Sequence, residues 1–453
     1  MPGPLADLRT AVQSAAAAVV DANGGGAVAP TLERPKKAGF GDYATNAAML
    51  LSKAAGEPPR DIAERVASEL SERLGDALER VEVAGPGFLN LTLTPAWHAQ
   101  ALADVLAAGL AFGGGGADPV LRYNVEFVSA NPTGPMTAAG GRHAAYGDAV
   151  ARLLEFRGHE VHREYYVNDF GSQVQRLGES IQARARKEEP AEDGYVGDYV
   201  IGLAERIPNA LTDPADVVAE RGVWLLLDGI KRSMESMRVT FDTWFSERRL
   251  HEGEPTPVEH AFAELEARGE TYRKDGALWL RSTAHGDDKD RVLERSSGEH
   301  TYLASDIAYH LDKLERGFDR LIDVWGSDHH GYVGRMKAMM AALGRDPELL
   351  ELKIMQFVNI VEGGERTSMS KRRGEFVTLD ELVGKIGVDA VRFLMLQRSH
   401  DTAVDLDLGL AVEQSSQNPV YYVQYAHARI VSMLRKSARG ETYRKDGALW
   451  LRS

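Results

Sequence analysis

Between Asn124 and Gln173 the chain reads NVEFVSANPTGPMTAAGGRHAAYGDAVARLLEFRGHEVHREYYVNDFGSQ, and three kinds of signal are stacked there in an order that suits phosphate chemistry. A strand-like run, Tyr123 to Val128, feeds a Pro/Gly-rich turn, Asn131 to Pro135, and then a small-residue helix start, Ala138 to Gly141. Glycines let backbone N–H groups approach an anion closely, and a helix N-terminus adds a favourable dipole. Taken alone, the same pattern describes a plain structural turn equally well. Two other strings carry chemistry-bearing residues. Lys371, Arg372 and Arg373 could close on phosphate or form an exposed basic turn. Asp328, His329 and His330 are metal-ligand types, but no third spaced ligand accompanies them, so no protein-bound metal is expected.

The elements that must hold these residues follow from periodicity. From about Val120 strands alternate with helices, the rhythm of a parallel α/β sheet. Val125–Val128 is predicted as the first strand, Gly147–Arg157 as the first crossover helix, Glu160–Tyr166 as the next strand, and Arg320–Val324 as a further one ending at Trp325-Gly326. Ligands collect at the carboxyl ends of such strands, which places the two signature regions around one pocket. The stretch 174–272 reads as a mostly helical insertion, and the chain is helical again from Asp389. Residues 1–112 read as a separate α+β unit with an Ala-rich first helix, a Gly-rich loop at Gly24–Gly26, helices near Tyr43–Ala55 and Pro59–Leu74, and strands around Arg80–Val83 and Phe88–Leu93. Four successive glycines in 113–119 mark a linker.

Composition limits the alternatives. A length of 453 residues allows two to four domains, and the hydrophobic share of 43% and charged share of 26% are ordinary for a soluble globular chain. There is no cysteine, hence no disulfide or thiolate metal site. Neither a signal peptide nor a membrane span is apparent, so a cytoplasmic location is expected. A net charge of -14 argues against a polyanionic partner as a whole. Local basic clusters can still contact phosphates: Arg34, Lys36 and Lys37; Arg184, Arg186 and Lys187; Lys371–Arg373; and Arg429, Arg435, Lys436 and Arg439. Each by itself also suits a solvated face.

The motif region closely resembles the signature of arginyl-tRNA synthetases, class I aminoacyl-tRNA synthetases whose pattern runs SANPTGP, HxGH, GR, GD and YYxND. Five further blocks agree in order: GDYATNAAM at Gly41–Met49, TYLASDIAYHLDKLERGFD at Thr301–Asp319, VWGSDHHGYVGRM at Val324–Met336, MSKRRGEFVTLDEL at Met369–Leu382 and NPVYYVQYAHARI at Asn418–Ile430. The resemblance covers about Gly39 to Ala438. It implies a Rossmann-like catalytic domain over 120–388 with its helical insertion, an N-terminal tRNA-elbow-binding domain over 1–112, and the start of a helical anticodon-binding domain over 389–437. The implied activity is ATP-dependent ligation of L-arginine to tRNA(Arg) through arginyl-adenylate, with Mg²⁺ carried by ATP. A monomer with no membrane partner is expected.

Residue by residue, the resemblance implies an ATP shelf at Pro132, Thr133, Gly134, Thr137, Gly140 and Gly141, closed by Met369, Ser370 and Lys371, with Lys371 as the mobile cation. It implies arginine contacts from Glu126, Asn131, Tyr302, Asp306 and His329, since a guanidinium offers donors and no acceptor. Glu126 could instead pair with a core arginine, and Asp306 could cap the helix it opens. RNA contacts would come from Tyr43 and Asn46 and from the last helix with Tyr425 and Arg429. The helical spacing of Tyr422 and Tyr425 equally suits core packing.

Two departures and one duplication stand out. Thr137-Ala138-Ala139-Gly140 replaces HxGH, and Ser368 replaces the usual first lysine of the loop; His143 lies about one helical turn beyond Gly140. These losses keep a catalytically impaired tRNA-binding relative open as an alternative, and a different nucleotidyl-transferring α/β enzyme would show no preference for arginine. ARGETYRKDGALWLRS occurs at Ala267–Ser282 and again, letter for letter, at Ala438–Ser453. Genuine repeats diverge and recur, so the second copy, 438–453, is expected to be an artefact standing in place of further helical sequence.

Overall fold

A computed structural model describes residues 3–21, 29–36, 39–363, 365–366, 377–438, 442–445 and 448–451. The Gly24–Gly26 loop, Lys37, Arg439 and the whole of Met369–Arg373 lie outside the described residues. The chain divides into two compact units, Met1–Pro119 with Phe156–Gly158, and Val120–Glu155 with His159–Ser453.

The first unit contains α1 (Pro4–Asp21), β1 (Leu32–Glu33), β2 (Tyr43–Thr45), α2 (Ala47–Ala55), α3 (Pro59–Leu74), β3 (Leu78–Ala84), β4 (Phe88–Leu93) and α4 (Pro95–Ala108). Its strands form an antiparallel sheet in the order β1-β2-β4-β3. Leu8, Val12, Ile62, Val66 and Leu70 from the helices close over Leu89 and Leu91 of β4. Each such aliphatic side chain contributes on the order of 1.5–3 kcal/mol when fully buried. The expected helix over Tyr43–Ala55 begins only at Ala47. Tyr43 is in β2 opposite Leu91, a position that suits an aromatic residue better than a helix start does.

The second unit continues with β5 (Arg122–Glu126), α5 (Ala138–Arg157), β6 (Glu160–Val167), α6 (Ser172–Ala185), α7 (Asp198–Arg206), α8 (Ala215–Ser236), β7 (Thr243–Ser246), α9 (Pro257–Ala267), β8 (Thr271–Lys274), β9 (Ala277–Leu280), β10 (Arg291–Glu294), α10 (Tyr302–Glu315), β11 (Arg320–Gly326), α11 (Val333–Ala342) and β12 (Leu350–Met355). It ends with β13 (Val358–Glu362), β14 (Glu365–Arg366), α12 (Leu379–Ile386), α13 (Val388–Leu396), β15 (Val404–Asp407), α14 (Leu408–Val412), α15 (Pro419–Ala438), β16 (Thr442–Lys445) and β17 (Ala448–Leu451). The main sheet is parallel throughout, in the order β12-β11-β5-β6-β7. Adjacent β6 residues enter different cores. Tyr165 joins Phe127 and Ala144, whereas Tyr166 joins Phe245, Ile307 and Met336, so both faces of the sheet are covered. No helix among the described residues is long and apolar enough to cross a membrane.

Three expectations shift. The first strand stops at Glu126 rather than Val128, because Val128 and Ser129 turn the chain at φ 71° and 40°. A β-branched residue in the left-handed region is strained, and such strain collects at functional sites. The helix that follows starts at Ala138, well before Gly147. Gly147 is instead its contact point with the sheet, since a Cβ there would lie 2.1 Å from Phe127 Cγ. Finally, the stretch 174–272 holds four α-helices, α6 to α9, but also β7, which returns to the main sheet beside β6. The duplicated string adopts the same hairpin twice: Thr271 faces Leu280 in β8–β9, and Thr442 faces Leu451 in β16–β17. In the first copy Asp275 and Gly276 both have positive φ, which fits the Asp-Gly preference of two-residue hairpin turns.

Candidate active site

At the carboxyl ends of β5, β6 and β11 lies a cavity of about 550 Å³. Its wall includes Glu126, Asn131, Tyr302, Asp306 and His329, so five residues drawn from three separated sequence blocks meet around one space. The strained turn at Val128–Ser129 is what brings the end of β5 round. Ser129 Oγ donates to Glu126 Oε1 at 2.9 Å and accepts from the Tyr166 N–H at 3.1 Å, which pins the turn to β6. Asn131 then projects into the cavity and donates to Gln173 Oε1 at 2.8 Å.

Beneath this wall runs a buried charge network. Lys313 Nζ, with no solvent exposure, donates to Glu126 Oε2 at 2.6 Å and to Asp323 Oδ1 at 2.9 Å. Asp323 Oδ2 lies 2.8 Å from His310 Nε2, and His310 Nδ1 lies 2.7 Å from the carbonyl oxygen of Asp306. That imidazole thus bridges a carboxylate and a backbone carbonyl oxygen. Two carboxylates share the Lys313 ammonium. Burial raises the Glu126 carboxyl above its ordinary range despite Lys313. Asp323, though desolvated, is held well below that range by Lys313 and His310. The partner of Glu126 is therefore a lysine, not the core arginine that its sequence position also allowed.

Two other carboxylates form no ion pair with a lysine or arginine among the described residues. Asp306 sits in the second turn of α10, whose N-cap is Thr301, so it is not a capping residue. Its Oδ2 accepts from the Tyr332 hydroxyl at 2.8 Å, and burial raises its pKa. Glu247 directly follows β7 and is only 6% exposed. Burial, reinforced by the neighbouring carboxylates of Asp306 and Asp169, pushes it up to about 8, and the Tyr166 hydroxyl is its hydrogen-bond partner. Sequence reasoning missed Glu247 because β7 is only four residues long and its acid is lost in the string SERR. An apolar Trp-Phe pair ending in an acid beside a sheet was the available signal. Lys313 was missed as well, since lysine on an amphipathic helix is normally read as exposed.

The nucleotide side is built differently. Pro132, Thr133 and Gly134 are buried in the turn rather than exposed to the cavity, and Thr133 O accepts from the Tyr199 hydroxyl of α7 at 2.8 Å. Thr137, Gly140 and Gly141 form the start of α5. Thr137 Oγ1 accepts weakly from the Gly140 N–H at 3.4 Å, and Thr137 O from Gly141 N–H at 3.3 Å. This segment is zipped to the residues that follow the MSKRRGEF string: Ala138 N–H donates to Val377 O at 3.1 Å, and Leu379 N–H to Met136 O at 2.8 Å. Space for a side chain at position 140 is taken, because a Cβ there would lie 2.2 Å from Met136 Sδ. Met369, Ser370 and Lys371 lie outside the described residues. Their neighbours Val377–Leu379 nevertheless bring that segment's end against α5.

The RNA-side expectations separate. Tyr43 packs edge-on to Trp97 at 6.4 Å, and Asn46 Oδ1 accepts from the Thr31 N–H at 2.9 Å, so both have structural partners. Tyr422 and Tyr425 are 57% and 47% exposed, which corrects the core-packing alternative for them. Tyr425 stacks on Tyr421 at 6.1 Å and accepts from Arg429 at 3.1 Å.

Comparison with known proteins agrees with this geometry. Residues 6–93 match the family profile for the arginyl tRNA synthetase N terminal domain, and residues 121–198 and 218–432 match that for the catalytic domain of class I (R) tRNA synthetases. The chain is 45% identical over 421 residues to an arginine–tRNA ligase of Nitratidesulfovibrio vulgaris, covering 90% of this chain and 76% of the relative. It is 48% identical over 421 residues to one of Syntrophotalea carbinolica, covering 90% and 75%. In fold it is similar to the arginyl-tRNA synthetase of Thermus thermophilus, with a TM-score of 0.74 at 22% identity over 95% of this chain and 82% of that one.

Proposed function

The chain belongs to the arginyl-tRNA synthetase family, and from that premise we propose that it ligates L-arginine to its cognate tRNA through an arginyl-adenylate. The arginine carboxylate attacks the α-phosphorus of ATP, pyrophosphate leaves, and a terminal ribose hydroxyl of the tRNA then takes the arginyl group. The observation that carries the reading at this site is Asp306, a buried carboxylate on the cavity wall with no lysine or arginine partner among the described residues, with the buried Glu247 close to it, while Glu126 of the same wall already has Lys313. A planar guanidinium with five donors is the ligand such a pair favours. Its arrival also supplies the positive charge that lets Glu247 ionise.

Tyr302, 71% exposed at the cavity mouth, is the wall over the guanidinium stem. Asn131, oriented by Gln173, and His329 address the polar groups of the amino acid backbone. Glu126 keeps the floor negative while anchoring Ser129. ATP enters with its own Mg²⁺ and lies against the start of α5 at Thr137, Gly140 and Gly141, with Pro132, Thr133 and Gly134 shaping the buried turn behind it. Met369, Ser370 and Lys371 are the further contacts proposed for its phosphates. Catalysis of this kind depends on positioning and on charge stabilisation and needs no protein nucleophile. The first unit, with Tyr43 and Asn46, and α15, with Tyr425 and Arg429, are the tRNA-contacting regions; aromatic and arginine side chains together suit stacking on unpaired bases. The protein acts in the cytoplasm as a monomer.

Arginine-dependent exchange of pyrophosphate into ATP, measured with cognate tRNA present, tests the reading. Exchange that requires arginine supports it, and its absence under those conditions sinks it.

A further inference from the structure

The cavity that would receive a triphosphate is lined by no lysine or arginine among the described residues. Donors beside it, in the turn and at the start of α5, are largely committed. Asn131 Nδ2 donates to Gln173, Ala138 N–H to Val377 O, and Gly141 N–H to Thr137 O. Gly140 N–H already leans on Thr137 Oγ1. Arg142 is fully buried and aims its guanidinium away, donating to the carbonyl oxygens of Gln356, Ser399 and Thr402 at 2.8 Å each. The next residue does face the cavity. His143 lies on the wall that α5 presents, across from Asp328 and His329 at the end of β11. Gly326, at the end of β11, lies in ordinary packing distance of the ring: a Cβ there would be 3.9 Å from His143 Cε1.

We propose that His143 is a catalytic residue of the activation step, donating an imidazole N–H to a non-bridging oxygen of the α-phosphate. An oxygen of the arginine carboxylate forms the new bond to phosphorus. The bond from phosphorus to the bridging oxygen breaks, and its electron pair leaves with pyrophosphate. No proton is exchanged with the ring, which stabilises the added negative charge by hydrogen bonding alone. Burial and the adjacent Arg142 hold the imidazole down at about 4, so at neutral pH it is a neutral donor with one N–H. The side chain one turn earlier on the helix cannot do this work, because position 140 is glycine with Met136 filling its place.

The inference rests on the ligase reading, and the test separates the two. Wild-type protein is first assayed for arginine-dependent pyrophosphate exchange with cognate tRNA; failure there removes the ligase reading and this inference with it. In an active enzyme, His143→Ala should lower kcat roughly 10²-fold, the usual loss for a donor aimed at developing charge. KM and calorimetric Kd for arginine should stay within about twofold, as expected of an interaction made only in the transition state. His143→Gln, which keeps an N–H donor, should recover at least about tenfold of the loss, within the 10²–10³-fold that one such donor supplies. Wild-type kcat in the alanine variant overturns the proposal and leaves the ligase reading standing. Equal losses in both variants, or loss of arginine binding, would assign His143 to the fold and overturn it too.

Discussion

The two walls of the cavity solve the same problem, holding a charged ligand away from bulk water, by opposite means. On the α10 side, buried charge is paired underneath: Lys313 bridges Glu126 and Asp323, Asp323 also meets His310, and Asp306 lines the cavity with Glu247 buried near it. On the α5 side there is almost no fixed charge. Backbone N–H groups, one threonine hydroxyl and one neutral imidazole stand at the start of a helix, and the strong cations belong to the segment that carries Lys371. The difference teaches how the site divides its labour. Recognition of the amino acid is built into rigid, buried structure, where a misplaced charge costs several kcal/mol. In the proposed reading, phosphate handling falls to the weaker donors of the α5 wall together with Lys371.

Breaking the buried pairing should have the largest effect. Lys313→Met leaves Glu126 and Asp323 buried without their cation and should cost about 3–5 kcal/mol of stability. Chemical denaturation reads this directly, and a loss under 1 kcal/mol would mean that the network is not what holds the floor. Next, Asp306→Asn keeps the shape and removes one guanidinium acceptor. KM for arginine should rise on the order of 10²-fold, as expected when one partner of a desolvated charge pair is truncated. KM for ATP should change little, and an equal change in both would erase the distinction between the walls.

A smaller effect sharpens the role of Glu247. Its carboxyl, at about 8 in the empty site, is mostly protonated at pH 7 and must ionise to meet a guanidinium. Arginine binding should therefore release close to one proton below pH 8, and affinity should rise with pH by up to about tenfold per unit until it levels off near that value. Calorimetry in buffers of different ionisation enthalpy measures the release, and Glu247→Gln should abolish it. The linked stability effect has a definite sign. The folded state keeps a proton that the unfolded chain loses from the ordinary carboxylate range upward, so this group's contribution falls from there to about pH 8 and is flat above. The smallest change concerns the α5 wall: Thr137→Ala removes only a weak helix-start contact and should cost about 0.5–1 kcal/mol.

Much of this arrangement could be read from the sequence, and the failures have physical causes. Glu126, Asn131, Tyr302, Asp306 and His329 were all named from separated blocks through their resemblance to the arginyl-tRNA synthetase signature, and one cavity brings the five together. The alternation of strands and helices was visible through its apolar runs. Residues defined by tertiary contact were not. Glu247 depends on β7, a strand too short to show a period. Lys313 shows only that it lies on a helix, and nothing local says that the helix face is buried. The end of β5 was misplaced by two residues because Val128 belongs by type in a strand and by tertiary constraint in a strained turn. Tyr43 was put in a helix for the reverse reason: the residues after it are strong helix formers, while its own backbone pairs with Leu91.

The central claim is that uncompensated buried carboxylates select a guanidinium, and citrulline tests it most directly, since it keeps the length and most of the shape of arginine without the charge. The account predicts that wild-type protein, with ATP and cognate tRNA, supports pyrophosphate exchange with arginine at a kcat/KM at least about 10⁴-fold above that with citrulline, as for sites built around a specific polar group. Comparable rates with the two amino acids would contradict it.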